Sequence, residues 1–254
     1  MPSYAPPEIH SHTFESRRHP GHWLHLSECG QQNTRTALLV HGAAGNWRNF
    51  LHQMPALAQT HHVIAVDLRG HGRSPWPEEP STIEDFYSDI EELLDFLPER
   101  FDLIAHSFGG YLATRLAAEH GTRVRSLTLI NTAYTIPQGL CYRLLQFVSP
   151  GADLIAAPEG MIAARAEVCR QLLDHVMHDW DCRPYYPRLN LPAMLILGAL
   201  DPLIPLAAGR ETAEFLPRCK LHMLPFGGHV SMWEAPERVN GWLMEFLDGN
   251  SGLP

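Results

Sequence analysis

Three residues far apart in the chain have side chains that could do covalent chemistry together. Ser107 stands in Ala105-His106-Ser107-Phe108-Gly109-Gly110, where a short apolar run gives way to a helical pattern. A serine at such a junction occupies a strained turn that only small residues two positions before and after permit, and Ala105 and Gly109 are small. The unpaired amides and positive dipole end of a helix start favour negative charge, on an attacking oxygen or on an oxyanion formed from it. The same serine could equally be a helix cap. His229 closes Gly227-Gly228-His229 and Asp201 lies in Gly198-Ala199-Leu200-Asp201-Pro202, each just beyond an apolar run. A histidine in a glycine turn is often only surface, and Asp-Pro is a common turn. As a set, however, a hydroxyl, an imidazole and a carboxylate are what nucleophilic attack on a carbonyl requires.

The elements that must position these residues are legible as alternation. From Thr36 to Asn131, short apolar runs at Ala37 to Val40, Val63 to Asp67, Phe101 to Ala105 and Val124 to Asn131 read as buried strands. Between them, Trp47 to Ala58, Ile83 to Leu97 and Phe108 to His120 repeat apolar residues every three or four positions and are predicted helices, the second capped by Ser81 or Thr82. Such alternation implies an α/β fold with a mostly parallel central sheet and helices on both faces. From Thr132 to about Asn190 the alternation stops. A helix-rich stretch with Met161 to Trp180, bracketed by prolines, takes its place and is predicted to be an inserted cap. Strands return at Ala193 to Gly198 and Lys220 to Leu224, with helices at Leu206 to Leu216 and Pro236 to Leu247. The expected organisation is thus one core domain of residues 1–131 and 191–254 with a helical cap at 132–190, and one or two antiparallel edge strands before Ala37.

Composition narrows the partners. A chain of 254 residues with 45% apolar residues supports one sizeable core. A formal net charge of -9 disfavours nucleic acid and anionic membrane surfaces. The amino-terminal stretch lacks the apolar core of a signal peptide, and no apolar run is long enough to span a bilayer, so a soluble, cytoplasmic protein is expected. Five scattered cysteines without a C-x-x-C pair read as reduced, packing thiols. His10, His12, His19, His22 and His25 fall in a polar stretch and are expected to be solvated or at strand edges, not metal ligands. Lys220 is the only lysine and follows no glycine-rich turn, which argues against Schiff-base or Ser-Lys chemistry.

Ala105 to Gly110 between a strand and a helix resembles the nucleophile elbow of the α/β-hydrolase family. His41-Gly42-Ala43-Ala44-Gly45 resembles that family's His-Gly loop, and Asp67-Leu68-Arg69-Gly70-His71-Gly72-Arg73-Ser74 a structural loop found in many of its members. The resemblance covers residues 37 to 131 and 191 to 248. It implies Ser107 as nucleophile, His229 as base and Asp201 as the acid that orients it, in the family order serine, acid, histidine. Asp67 precedes the serine and is out of order. Asn131 occupies a place where some relatives keep the acid, and an amide cannot carry that charge. The resemblance further implies an oxyanion hole from the backbone amides of Ala43 and Phe108, a structural role for His41, and no cofactor or metal.

The serine at position 107 argues against the dehalogenases and epoxide hydrolases of the family, which use an aspartate. Val230 stands where carbon-carbon hydrolases commonly carry tryptophan. The expectation is a serine hydrolase acting on a carboxylic ester or thioester of small to medium, apolar acyl character. A lyase of the menaquinone-pathway synthase type is the alternative, with a carbon-carbon hydrolase disfavoured and a non-enzymatic ligand receptor the reading of a different class. Tyr134, Tyr142, Phe147, Met161, Met177, Trp180, Tyr185 and Tyr186 could line an apolar pocket under the cap or form the cap's own core.

Overall fold

The computed structural model describes residues 7–76, 80–136 and 166–250. Eight strands form one sheet: β1 (His10–Glu15), β2 (Trp23–Cys29), β3 (Arg35–Val40), β4 (His61–Val66), β5 (Phe101–His106), β6 (Val124–Ile130), β7 (Ala193–Gly198) and β8 (Cys219–Leu224). Their spatial order is β1-β2-β4-β3-β5-β6-β7-β8. β1 pairs antiparallel with β2 and β2 antiparallel with β4; every pairing from β4 to β8 is parallel. Of the one or two antiparallel strands expected before Ala37, two are present, and they lie at one edge.

The central strands are almost wholly buried and mostly apolar because both faces of the sheet are covered. Strand periodicity sends Leu38 and Val40 of β3 to one face, with Leu195 and Leu197 of β7. Ala37, Leu39, Met194 and Ile196 go to the other. The first face packs on α2 (Ile83–Glu92) and α3 (Phe108–Glu119) through Phe86, Ile90, Leu112 and Leu116. The second packs on α1 (Gln53–Leu57) and, at the chain end, α7 (Pro236–Gly249), through Met54, Leu57, Val239, Leu243 and Phe246.

Two local features depart from the simple periodic reading. The helix predicted over Trp47 to Ala58 is broken into a 3-10 turn at Trp47–Phe50 and α1. Pro55 accounts for this: lacking an amide proton, it is tolerated only in a helix's first turn, and α1 starts at Gln53. Of the two offered caps of α2, Thr82 is the one used. Its hydroxyl accepts the Asp85 amide while the Asp85 carboxylate accepts the Thr82 amide, a reciprocal capping box.

Between β6 and β7, the described part of the predicted helical stretch comprises α4 (Ala166–Gln171), a π turn at Leu172–Val176 and a 3-10 turn at Met177–Asp179. Tyr142, Phe147 and Met161 lie outside the described residues. The chain continues through α5 (Leu206–Phe215) after β7 and the short α6 (Ser231–Glu234) before α7. Among the described residues no helix is long and apolar enough to cross a membrane.

Candidate active site

Ser107, Asn131, Asp201 and His229 each follow the carboxyl end of a strand, β5, β6, β7 and β8 in turn. The parallel arrangement gathers those ends on one side of the sheet, where open α/β sheets place their sites.

Ser107 sits at φ +50° and ψ -121°, a strained backbone for a residue with a side chain. It precedes α3 but makes no capping hydrogen bond with its hydroxyl. The Oγ instead lies 3.0 Å from His229 Nε2. His229 Nδ1 lies 2.8 Å from Asp201 Oδ2. A carboxylate only accepts, so Nδ1 carries the proton, and Nε2 presents its lone pair to the serine hydroxyl. Ser107 and Asp201 are buried and the His229 side chain is 18% exposed, so the imidazole is the member nearest to solvent.

Asp201 is held from several directions. Its Oδ1 accepts the amides of Leu203 at 2.8 Å and Ile204 at 2.9 Å, while Oδ2 accepts from His229 and, at 3.0 Å, from Asn131 Nδ2. Burial alone would raise this carboxyl's pKa, but the bonds from His229 and the two amides outweigh it and hold the group below the usual carboxylate value. The loops that carry Asp201 and His229 are tied together by the Leu200 amide, which donates to Gly227 O at 2.9 Å.

The His-Gly loop packs directly on the elbow. The Gly109 α-carbon faces the Val40 and His41 carbonyls so closely that a β-carbon there would lie 2.5 Å from each oxygen. Two buried imidazoles brace the loop. His41 Nε2 accepts the Leu68 amide at 3.0 Å and its Nδ1 donates to Gly42 O at 2.7 Å. His71 Nε2 accepts the Ala44 amide at 3.1 Å and its Nδ1 donates to Arg69 O at 2.8 Å. With both nitrogens so used each ring is neutral, and burial pushes His71 down to about 3. The Ala44 and Gly45 amides are committed to His71 and to Gly42 O, respectively. Phe108 opens α3, where the first amides have no partner within the helix.

Asp67 knits neighbouring loops. It accepts the Trp47 amide at 2.7 Å, the Arg73 amide at 3.0 Å and the His25 Nδ1 proton at 2.9 Å, a structural assignment consistent with its place before Ser107 in sequence. The other amino-terminal histidines are occupied similarly: His19 pairs with Ser88 and His22 lies 3.4 Å from Asp89, while His10 and His12 are exposed on β1. Among the described residues the one grouping able to offer three ligand atoms to a metal is Glu91, Glu119 and His120, whose carboxylates already bind Arg18, Arg115 and Tyr87. A cleft of about 620 Å³ between the β1–β2 turn and the start of α2 includes Arg18, His22, Arg69 and Trp76, and none of the Ser107, Asp201 or His229 side chains lines it.

Of the aromatic and methionine residues predicted for the cap, Met177, Trp180 and Tyr186 are buried in the first core face, with Tyr134 and Tyr185 packed beside it. Trp180 donates to Ala133 O at 3.1 Å and meets the Phe108 ring edge-on at 6.1 Å between centroids. Two residues not proposed as site members contact the trio: Asn131, through Asp201, and His106, whose ring centroid lies 4.9 Å from that of His229. The first carried a signal in its place at the end of β6; the second is recognisable only as the neighbour of Ser107.

Residues 37–242 match the model of the alpha/beta hydrolase family, and the chain belongs to it. It is similar to the dihydrolipoyllysine-residue acetyltransferase component of an acetoin cleaving system from Pseudomonas putida, 29% identical over 89% of this chain and 67% of that protein. It is similar also to a protein of Variovorax paradoxus strain S110 that bears the name of a carbamate hydrolase, RutD, 29% identical over 88% of this chain and 96% of the other. Among solved structures, an esterase from Thermogutta terrifontis has the same fold with a TM-score of 0.78 at 22% identity, covering 95% of this chain and 99% of the other. The enol-lactonase from Burkholderia xenovorans LB400 has a TM-score of 0.75 at 23% identity, covering 95% and 97%.

Proposed function

We propose that the protein is a serine hydrolase that cleaves a carboxylic ester or thioester of small to medium, apolar acyl character through an acyl-enzyme on Ser107. The observation that carries this reading is the continuous hydrogen-bonded chain from Ser107 Oγ through His229 to Asp201. In the reaction, His229 Nε2 takes the hydroxyl proton as Ser107 Oγ attacks the carbonyl carbon. The imidazolium, paired with Asp201, then gives that proton to the departing alcohol or thiol. Water enters and loses a proton to the same nitrogen. The resulting hydroxide attacks the acyl carbon, and Ser107 leaves with its proton restored.

The oxyanion would be received by the backbone amides of Ala43 and Phe108, each such donor being worth about 10²- to 10³-fold in rate. No cofactor takes part in these steps. Residues 132–190 are taken as the cap that faces the acyl group. The partner is a small molecule, and nucleic acid and membrane are not part of this reading.

A carbamate is the second reading, favoured by the similarity to the RutD protein; its carbonyl would pass through the same tetrahedral intermediate. Labelling with a fluorophosphonate, compared between the wild type and Ser107→Ala, tests the nucleophile. Initial rates on p-nitrophenyl esters of rising chain length, a thioester and a p-nitrophenyl carbamate assign the bond. Labelling lost in the variant together with turnover of esters supports the ester reading, while preference for the carbamate selects the second. A wild type that does not label overturns the assignment of Ser107.

A further inference from the structure

The loop that carries His229 lies between β8 and α6, outside any strand or helix, and places two glycines directly before the histidine. A base on such a loop has little to fix it unless its backbone is held from elsewhere. Besides the Leu200 amide on Gly227 O and the Glu234 carboxylate on the Gly228 amide, two side chains from the sheet hold its carbonyls. Asn131 Nδ2 donates to Gly228 O at 2.9 Å, and His106 Nε2 donates to His229 O at 2.8 Å. Two successive carbonyls of the base loop are therefore gripped from the ends of the two central strands β5 and β6. The second proton of the Asn131 amide goes to Asp201 Oδ2, the same oxygen that receives His229 Nδ1.

We infer that Asn131 and His106 are positioning residues that fix the distance and tautomer of the Asp201–His229 pair, an inference that rests on the serine-hydrolase reading above. Asn131 is completely buried and held at φ +46°, a left-handed backbone that glycine, asparagine and aspartate tolerate best. Both of its amide protons meet oxygens, and the reversed amide would set an oxygen against a carboxylate and a carbonyl, so its orientation is determined by the site. Among the described residues its Oδ1 has no hydrogen-bond partner. A buried acceptor left unmade is a cost, accepted here by a residue whose donors both serve the pair. His106 is likewise buried and, among the described residues, its Nδ1 has no partner, so this ring too is held by its one donor bond. Burial and the neighbouring His229 push His106 down to about 3, so the grip on His229 O does not titrate in the neutral range.

The variants follow from the backbone. Asn131→Gly keeps the left-handed conformation and removes both donors. Asn131→Asp keeps the shape and puts a second carboxyl about 3 Å from Asp201, which adds negative charge beside the pair as it ionises. His106→Phe keeps the ring and removes the donor. The ionisable groups facing the pair are His106 on β5 and Glu234 on α6, whose carboxylate accepts the Gly228 amide; neither is altered in the Asn131 variants. Kinetics on the ester turned over by the wild type, normalised to the sites titrated by fluorophosphonate, should show kcat lowered roughly 10- to 100-fold in Asn131→Gly and His106→Phe. KM should change much less.

In Asn131→Asp, the extra negative charge favours the imidazolium, so the acidic limb of kcat/KM should move to higher pH by about one unit. A residue that only supported folding would reduce the titrated fraction and leave that limb in place. If the wild type neither labels nor turns over, the hydrolase reading fails. If the wild type is active while Asn131→Asp shows an unmoved limb and the donor-deletion variants that fold retain kcat within about twofold, the positioning role is wrong.

Discussion

A β-carbon placed on Gly42 would lie 2.8 Å from Ser107 Cβ and 2.9 Å from His106 Nδ1. The loop proposed to receive the oxyanion and the turn that carries Ser107, the proposed nucleophile, are thus in contact through a residue with no side chain. Gly42→Ala must push them apart, and displacement of a reacting group by about 1 Å can cost 10²-fold in rate. We expect kcat to fall by about that factor. The overpacking should cost roughly 1–3 kcal/mol of stability, read from urea denaturation. Retention of full activity would show that the two segments separate freely.

Gly241 is the counterpart. It lies exposed within α7 with nothing within 4 Å of where a β-carbon would stand, and its φ is not in the left-handed region. Gly241→Ala should therefore stabilise the protein by about 0.5–1 kcal/mol, through the lower entropy of the unfolded chain and the better helix propensity of alanine. Activity should be unchanged, so a midpoint that does not rise in urea would contradict the helical environment described for this residue.

Asp201→Asn tests the orienting role by exchanging an acceptor for a group that can also donate. The His229 Nδ1 would then accept from the new amide, and Nε2 would carry the proton and be unable to take one from Ser107. In a serine protease triad the same exchange lowers kcat by about 10⁴-fold, and a fall of about 10³- to 10⁴-fold is expected here. Combining Asp201→Asn with Ser107→Ala should cost scarcely more than Ser107→Ala alone, because the residues act as a unit. A double variant with multiplied losses would indicate independent roles.

The strands were legible in the sequence because those at the centre of the sheet are covered on both faces. Continuous apolar runs such as Ala193–Gly198 can be little else at that length. Ser107 and Asp201 stood out for a related reason, since each follows such a run with polar chemistry, whereas His229 follows the edge strand β8 and is marked by its glycine turn and its place after Ser107 and Asp201. What periodicity could not convey was direction. Trp180, Met177 and Tyr186 are aromatic or soft apolar residues whose type suits a pocket and a core equally, and the structure packs them into the core. Pro55 broke a helix whose apolar spacing read as continuous. The contacts of Asn131 with Asp201 and of His106 with the His229 backbone join residues more than sixty positions apart, which no local pattern encodes.

The buried histidines set the response to acid. His71 and His106 are each held neutral with a pKa of about 3, against 6.5 when free. The unfolded chain therefore binds more protons below pH 6.5, and stability present above that pH is lost as pH falls toward 3. At pH 4.5 this amounts to roughly 2–3 kcal/mol for each ring. Asp201 and Asp67 act in the same direction only at lower pH, since their carboxyls are held below 3.8. Urea midpoints should accordingly decline between pH 6.5 and 4.5, and His71→Gln, which keeps a donor and an acceptor but takes up no proton, should make the decline shallower. An equal slope in the variant would place the acid sensitivity elsewhere.

Arg69 and Asp89 form a buried two-pronged pair beneath the loop that follows β4. Nε donates to Oδ2 at 2.7 Å and Nη2 to Oδ1 at 2.6 Å, with His22 approaching the same carboxylate at 3.4 Å. Removing Asp89 leaves the buried Arg69 without its two-pronged partner, with Asp85 only at 3.8 Å, whereas removing both removes the penalty with the attraction. Asp89→Ala should thus lose about 3–5 kcal/mol in urea denaturation, while the double variant Arg69→Met, Asp89→Leu should recover most of it. Arg69 also lies next to Gly70 and supplies the carbonyl that orients His71, and His71 in turn holds the Ala44 amide. If that path transmits the disturbance, Asp89→Ala will also lower kcat in the fraction that remains folded. If kcat per titrated site is unchanged, the ion pair supports the fold alone and the His-Gly loop is held locally by His41 and His71.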